Sequence, residues 1–251
     1  MINTARATER MAFQSRQLDA LGVPWERVEA VTPETLSPPS DDPYWTTWQR
    51  PLREVEKAVT ASHRSAWARV TDGPCLILED DALLMGGTRA FLDQIAGVTD
   101  ADHVSLETRG RKKLVGRRHG SAPMVRLWQD YSGAAAYVLW PAGARILLEE
   151  SRSRAGIADA IICAAYRLRS WQADPAMAIQ FDQCADYGID PPVATPSSVL
   201  AEARPGGRTK AQRQRRIAGQ LRIVARRLSL TGRATRRPVP LAQDGSLVNR
   251  R

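Results

Sequence analysis

Four consecutive apolar residues, Cys-Leu-Ile-Leu at 75–78, run directly into the three acids Glu79, Asp80 and Asp81. A strand that is apolar at successive positions is buried on both faces, as in a sheet that helices cover on both sides. A Gly-Pro pair just before the run marks its start. The pattern predicts a strand of an α/β sheet that helices cover on both faces, with a cluster of carboxylates at its carboxyl end.

Segments of helical and of strand character alternate along the chain as far as residue 187. Helices are predicted at 8–21, 55–70, 142–150 and 157–168. Strands are predicted at 25–31, 103–106, 134–140 and 176–180. This alternation favours an α/β fold with a mostly parallel sheet flanked by helices. The loop at 37–51 carries Trp45 and Trp48, for which packing within the loop and stacking on a bound ligand are both open.

The three adjacent acids repel one another, and a divalent cation would compensate for that repulsion. Side chains alternate along a strand, so Glu79 and Asp81 are expected to face the same way. In open α/β sheets, ligands bind beyond the carboxyl ends of the strands, where this triplet falls. Oxygen ligands favour Mg²⁺ or Mn²⁺, and such an ion can bridge the two phosphates of a nucleotide sugar. The competing interpretation is an acidic turn in which one Asp caps the next helix.

A series of short motifs follows in order along the chain. They are Ile2-Asn3 with Arg6 and Arg10, Leu21 to Arg27, Glu56 with Ser62-His63, Ile77 to Asp81, Gly133 to Tyr137, Asp159, and Pro175 to Gln180. In this order and spacing the motifs resemble those of glycosyltransferase family 25, the family of bacterial lipooligosaccharide-type sugar transferases. The resemblance implies a GT-A fold over residues 1–187 and an enzyme that uses a nucleotide sugar.

The resemblance also implies roles for individual residues. Glu79 and Asp81 would hold the metal ion, Mn²⁺ or Mg²⁺. The residues expected at the nucleotide sugar are Asn3, Arg6, Arg10, His63, Glu79, Asp80 and Gly133. Asp159 is the candidate general base, because an inverting transfer needs a group that accepts the proton of the acceptor hydroxyl. Alternatives stay open: a solvated helix face for Arg6 and Arg10, a packed core histidine for His63, and a helix N-cap for Asp159.

The reaction implied by the resemblance is the transfer of a hexose, galactose from UDP-galactose, to a saccharide or lipid-linked glycan acceptor such as lipooligosaccharide. The competing classes are a catalytically silent GT-A-like binding protein and a nucleic-acid-binding protein that acts through its basic end. Nucleic acid is the weaker candidate, because the basic segment lacks interleaved aromatic residues and zinc-finger spacing.

The positive charge of the chain is concentrated at its end. Residues 203–251 carry 14 Lys or Arg and one acid, whereas the whole chain has a formal charge of +9, so the preceding part is mildly acidic. The sequence predicts a Pro-, Gly- and Ser-rich linker at 188–208, a basic amphipathic helix at 209–230 and a disordered basic tail at 231–251. The apolar stripe of this helix consists of Ile217, Leu221, Val224 and Leu228. Such a helix can lie on an anionic membrane, and a purely solubilising tail is the other interpretation.

Three widely spaced cysteines without CxxC spacing indicate neither a disulfide framework nor a zinc site. The first residues lack the apolar stretch of a signal peptide, and the longest apolar run, at 134–140, is far shorter than the roughly 20 residues that span a bilayer. We therefore expect a cytoplasmic location, with peripheral contact to the inner face of the cytoplasmic membrane through the basic helix.

Overall fold

The computed structural model describes residues 1–131, 133–193 and 206–245. The α-helices are α1 (Thr8–Leu21), α2 (Glu54–Trp67), α3 (Thr88–Ile95), α4 (Pro141–Ser153), α5 (Ala158–Ala164) and α6 (Lys210–Ser229). The strands up to the middle of the chain are β1 (Ile2–Asn3), β2 (Val28–Glu29), β3 (Cys75–Leu78), β4 (Ala82–Leu84), β5 (His103–Ser105) and β6 (Lys113–Arg118). The later strands are β7 (Met124–Gln129), β8 (Ala136–Leu139), β9 (Ser170–Ala173), β10 (Ala178–Gln180) and β11 (Thr235–Arg237). Short 3-10 helices lie at Pro33–Thr35, Pro43–Thr47 and Phe181–Tyr187.

The central sheet has seven strands in the order β11-β6-β7-β9-β5-β8-β3. Within it, β5 and β9 pair in parallel, and the other neighbours pair antiparallel. The predicted α/β class is confirmed, but the expectation of a mostly parallel sheet is wrong. The reason is that β6 and β7 form a hairpin and β8 runs back between β3 and β5. Alternation of helices and strands along a chain does not by itself fix the direction of each strand.

Each face of the sheet carries its own hydrophobic core. On one face, Leu78 of β3 packs with residues of α1 and α3, among them Phe91. On the other face, Ile77 packs with residues of α2, α4 and α5, among them Trp67. The alternation of neighbouring β3 residues between two cores confirms that this strand is covered on both sides, as its continuous apolar run predicts.

Several short strands surround the carboxyl end of β3. β1 pairs in parallel with β2, and Ile2 of β1 forms a parallel bridge with Glu79, the residue that follows β3. β4 begins directly after the acidic triplet and pairs antiparallel with β10. The segments that approach the triplet therefore come from both ends of the domain.

The loop at 37–51 is a packed element rather than an exposed recognition loop. Trp45 and Trp48 are 3% and 8% exposed, in a cluster that also contains Leu36 and Leu52. The indole N–H of Trp45 donates to the carbonyl of Pro39 at 3.1 Å. Of the two interpretations of these tryptophans, packing is confirmed, because buried rings cannot stack on a sugar.

The C-terminal part differs from its prediction. The basic helix is present as α6, and the predicted tail beyond it contains β11, which pairs with β6 and extends the sheet past residue 187. Val239 and Leu241 are buried, and the hydroxyl of Thr108 donates to the carbonyl of Val239 at 2.8 Å. Burial of these two apolar residues stabilises the packing of the segment, whereas the many basic residues around them predict disorder from the sequence alone. Residues 194–205 of the predicted linker and residues 246–251 lie outside the described part of the chain.

No helix within the described ranges combines the length and the apolar character that crossing a bilayer requires.

Candidate active site

The acidic triplet lies at the carboxyl end of β3, where backbone hydrogen bonds from other segments hold it. The N–H of Glu79 donates to the carbonyl of Ala135 at 2.8 Å, and the N–H of Phe181 donates to the carbonyl of Asp81 at 2.9 Å. These bonds tie the triplet to the segment before β8 and to the residue after β10. The backbone of the triplet is therefore fixed at the edge of the sheet where ligands bind in α/β folds.

The side chains of Glu79 and Asp81 share one hydrogen-bond donor. Nε2 of Gln180, the last residue of β10, lies 3.4 Å from Oε2 of Glu79 and 3.3 Å from Oδ1 of Asp81. The expectation that these two side chains face the same way is confirmed. A single amide thus brings together the two residues that the sequence predicts as metal ligands.

Asp80 points toward β1 and α1 instead. Its carboxylate accepts a hydrogen bond from Nδ2 of Asn3 at 2.8 Å and forms a salt bridge with Arg10 at 2.9 Å. The side chains of Arg10 and Asp80 are 15% and 14% exposed. Oδ1 of Asn3 is buried and has no hydrogen-bond partner among the described residues. Arg6 is exposed on the turn before α1 and is not part of this cluster.

His63 is fully buried behind Glu79. Its Nε2 lies 2.9 Å from Oε1 of Glu79, and its Nδ1 lies 2.9 Å from the hydroxyl of Tyr137. That hydroxyl also accepts the indole N–H of Trp67 at 2.7 Å. Burial lowers the pKa of His63 to about 4, so the ring is neutral at physiological pH. Of the two interpretations of His63, the structure realises the packed, hydrogen-bonded core histidine, which reaches the site through Glu79.

Asp159 lies in the first turn of α5 and is partly exposed. The N-cap of this helix is Ile157, so Asp159 opens α5 as an acid of its first turn rather than as the N-cap itself. Burial raises the pKa of Asp159, while the charge of the neighbouring Arg109 and a hydrogen bond from the backbone N–H of Gly133 act to lower it. Asp159 is thus a partly accessible carboxylate within the acidic cluster.

Gly133 has a backbone conformation that favours glycine. Its φ angle is +130°, and a Cβ at this position would lie 3.3 Å from Oδ2 of Asp130 and 3.5 Å from Oγ of Ser105. The missing Cβ therefore allows the loop to pack closely against Asp130 and Ser105, and the N–H of Gly133 donates to Asp159.

Glu107 is a member of the site that the sequence analysis did not single out. The side chain is almost completely buried, and its Oε2 accepts the N–H of Ala135 at 3.1 Å. Arg109 lies 3.7 Å from its other oxygen and also forms a salt bridge with Asp182 at 2.8 Å. The available signal was an acid two residues after the end of β5, comparable to Glu79, which directly follows β3.

The carboxylates raise one another's pKa values. Burial raises the pKa of Glu79 to about 8, and the charges of Asp159 and Asp80 add to this effect. Burial, followed by the charge of Glu79, raises the pKa of Asp81 to about 7. The pKa of Glu107 is raised to about 8 by burial and then by Asp159. In the absence of a cation, the site therefore disfavours the simultaneous ionisation of these three carboxyl groups at neutral pH.

The chemistry of this donor set fits a divalent cation. Glu79 and Asp81 supply hard carboxylate oxygens, the ligand type that Mg²⁺ and Mn²⁺ prefer, and a cation would lower both raised pKa values. The described residues contain no group of three or more His, Cys, Asp or Glu side chains that could hold a metal ion. Such a site would thus rely on two protein ligands, and the Glu79 side chain, 24% exposed, leaves access from solvent. Mg²⁺ sites with one or two carboxylates take their other ligands from water and substrate phosphates.

A mixed α/β domain that presents a cluster of carboxylates at one edge of its sheet has the architecture of an enzyme whose ligand-binding site lies at that edge. The family model Glycosyltransferase family 25 (LPS biosynthesis protein) matches residues 1–162, and the chain belongs to this family. It is therefore a glycosyltransferase of lipopolysaccharide biosynthesis. The match contains the acidic triplet, Glu107 and Asp159, and ends before Gln180. No curated protein matches the chain.

Proposed function

We propose that this glycosyltransferase is metal-dependent and inverting, and that it transfers a hexose, galactose from UDP-galactose, to a saccharide or lipid-linked glycan acceptor of lipooligosaccharide type. The proposal rests on the pair Glu79 and Asp81. One side-chain amide, that of Gln180, contacts both carboxylates, and the pKa values of both carboxylates are raised. Two carboxylates that resist ionisation together favour a doubly charged cation as their partner.

Glu79 and Asp81 would hold Mn²⁺ or Mg²⁺, with the donor diphosphate and water as the remaining ligands. Bound there, the ion would neutralise the negative charge that develops on the departing diphosphate. The chain's own contribution is to position these ligands. His63 fixes one oxygen of Glu79, and Gln180 holds the other oxygen beside Asp81.

Asp159 is proposed as the general base. In an inverting transfer the acceptor oxygen forms a bond to the anomeric carbon of the hexose, the bond from that carbon to the diphosphate oxygen breaks, and the acceptor's proton moves to the base. The carboxylate of Asp159 is partly exposed, and its raised pKa makes it a better proton acceptor near neutral pH than an ordinary aspartate. The N–H of Gly133 holds the carboxylate in place.

Donor hydrolysis with added Mn²⁺ tests the proposal. A panel of nucleotide sugars that includes UDP-galactose is incubated with wild-type protein and with Asp81→Asn, and released nucleoside diphosphate is measured. We expect metal-dependent release that is fastest for UDP-galactose and about 100-fold slower in the variant. Asp186→Asn is the matched control, because Asp186 is an exposed acid outside the cluster.

Equal rates for wild type and Asp81→Asn would remove the metal hypothesis. Turnover that is fastest with a different nucleotide sugar would contradict the choice of donor alone. A protein that is stabilised thermally by a nucleotide sugar without turning it over would be a catalytically silent binding protein.

A further inference from the structure

The helix α6 turns its apolar residues toward solvent. Ile217, Leu221, Val224 and Leu228 are 58%, 64%, 49% and 70% exposed. With about 100° of rotation per residue, these four side chains fall within an arc of about 60°. A helix on the surface of a globular protein normally buries such a stripe against its own domain. Here the stripe is left uncovered by the described residues.

The opposite face of α6 attaches the helix to the domain through arginines. Arg226 donates to the carbonyl of Trp128 at 2.9 Å, and its guanidinium lies 4.0 Å from the ring centroid of Tyr166. Arg215 donates to the carbonyl of Thr46 at 2.8 Å. Arg215 and Arg226 lie about 160° to 180° around the helix from Ile217, so these contacts direct the apolar stripe away from the protein.

The charge of α6 restricts what can cover this stripe. The helix contains seven basic residues and no acid, and Lys210, Arg213 and Arg216 are exposed on or beside the stripe. A second copy of the helix would bring seven positive charges against seven others, which disfavours pairing. Nucleic acid would satisfy the arginines but offers its phosphates, rather than an apolar surface, to four aliphatic side chains. An anionic phospholipid surface supplies both negative headgroups and an apolar layer beneath them.

We propose that α6 docks along its length on an anionic phospholipid surface, with Ile217, Leu221, Val224 and Leu228 inserted below the headgroups and the flanking basic residues among them. The docking does not depend on which sugar the enzyme transfers. Arg227 also contacts Tyr131, two residues before Gly133, so the docked helix holds the membrane near the candidate active site.

Vesicle sedimentation with the full chain tests this docking. Wild-type protein is mixed with two kinds of vesicle. One consists of phosphatidylcholine alone, and the other also contains about 30% phosphatidylglycerol, an anionic lipid that gives the surface a negative potential. Both kinds are also mixed with the triple variant Ile217→Ser, Leu221→Ser and Leu228→Ser. We expect binding to the anionic vesicles only, and a loss of about tenfold or more in the variant. The substituted side chains are all exposed, so we expect the variant to keep the fold of the wild type.

The matched control is the triple variant Gln214→Ser, Ala218→Ser and Ala225→Ser, whose positions are exposed on the same helix outside the stripe. This control is expected to bind anionic vesicles like the wild type. Equal binding of the stripe variant and the wild type would overturn the proposal, and so would absence of wild-type binding. Self-association that the stripe variant abolishes, or binding to duplex DNA with no binding to vesicles, would also overturn it.

Discussion

Nε2 of His63 lies 2.9 Å from Oε1 of Glu79, and the neighbouring residues determine which of the two atoms donates. The indole N–H of Trp67 is only a donor, so the hydroxyl of Tyr137 accepts from it and gives its own hydrogen to Nδ1 of His63. Because the ring is neutral, its single hydrogen then lies on Nε2 and is donated to Glu79. A chain of hydrogen bonds that starts at the buried Trp67 of α2 thus orients Glu79, the first carboxylate of the candidate active site.

Tyr137→Phe tests this chain. The substitution removes one hydroxyl and leaves the indole N–H of Trp67 and Nδ1 of His63 buried without their partner. We expect the free energy of unfolding to fall by about 2 to 4 kcal/mol, measured by urea denaturation. Tyr187→Phe is the control, because Tyr187 is half-buried, whereas Tyr137 is fully buried, and the hydroxyl of Tyr187 makes no hydrogen bond to another described residue. Equal stability of the two variants would contradict the assigned network.

Gln180→Ala removes the amide that links Glu79 to Asp81. The two carboxylates then lose their shared donor, and we expect the Mn²⁺ concentration for half-maximal activity to rise about tenfold, with little change in stability. Titration of donor hydrolysis with Mn²⁺ measures this shift. Gln183→Ala serves as the control, because among the described residues the side chain of Gln183 donates only to the backbone carbonyl of Asp182. An unchanged metal requirement in Gln180→Ala would show that this amide does not position the ligands.

Asp159→Asn keeps the shape of the side chain and removes its ability to accept a proton. We expect kcat to fall by about 100-fold or more, while KM for the donor changes little. Because the pKa of Asp159 is raised, kcat of the wild type should decline as pH falls through that raised value, where the carboxyl becomes protonated. A pH profile of transfer measures both effects. The same acid-side decline in the variant would assign the base to another residue.

His103 gives a prediction about stability at low pH. The ring is buried, neither nitrogen has a hydrogen-bond partner among the described residues, and burial lowers its pKa from 6.5 to about 3. The unfolded chain therefore binds more protons than the folded one below about pH 6.5, so this residue makes the protein lose stability as pH falls. At pH 5 its share of the loss is about 2 kcal/mol.

His103→Leu removes this titration. The stability of the variant, measured by urea denaturation at pH 7 and pH 5, should decline less than that of the wild type over this interval. Comparing slopes rather than absolute stabilities makes the test independent of any change in packing. A parallel decline in both proteins would show that His103 is hydrated and titrates normally.

The elements that the sequence predicts well are those with local signals. The structure begins and ends α1 at the predicted residues, because Gly22 adopts a left-handed conformation at φ 69° and stops the helix. The limits of β3 also agree, because its apolar run lies between a Gly-Pro pair and charged residues. In both cases the decisive residues lie within the element or next to it.

The hairpin of β6 and β7 has no such signal. Its first strand begins at Lys113, whose ammonium group is buried against Asp130 at 2.5 Å and donates to Gln172 at 2.6 Å. A lysine in a sequence normally predicts an exposed position, and the two partners of Lys113 are distant from it along the chain. The direction of the sheet strands depends on this hairpin, so the mostly parallel arrangement could not be rejected from local patterns.

The candidate active site shows the same division. Glu79 and Asp81 are predictable because strand geometry places alternate residues on one side. Gln180 and Glu107 join them only through the pairing of β10 with β4 and the position of β5 two strands from β3. Such contacts depend on the complete topology of the chain.

The pairing of β11 with β6 changes what a deletion experiment would report. After α6 the chain returns to the sheet as β11, and the following residues Val239 and Leu241 are buried. The basic helix is therefore an insertion between two parts of the same domain, not a separate C-terminal extension. Cutting the chain before α6 would strip the outermost strand and leave β6 with an unsatisfied edge, which invites aggregation. The loss of membrane binding in such a truncated protein would then be confounded with damage to the catalytic domain, and point substitutions on the helix are the cleaner instrument.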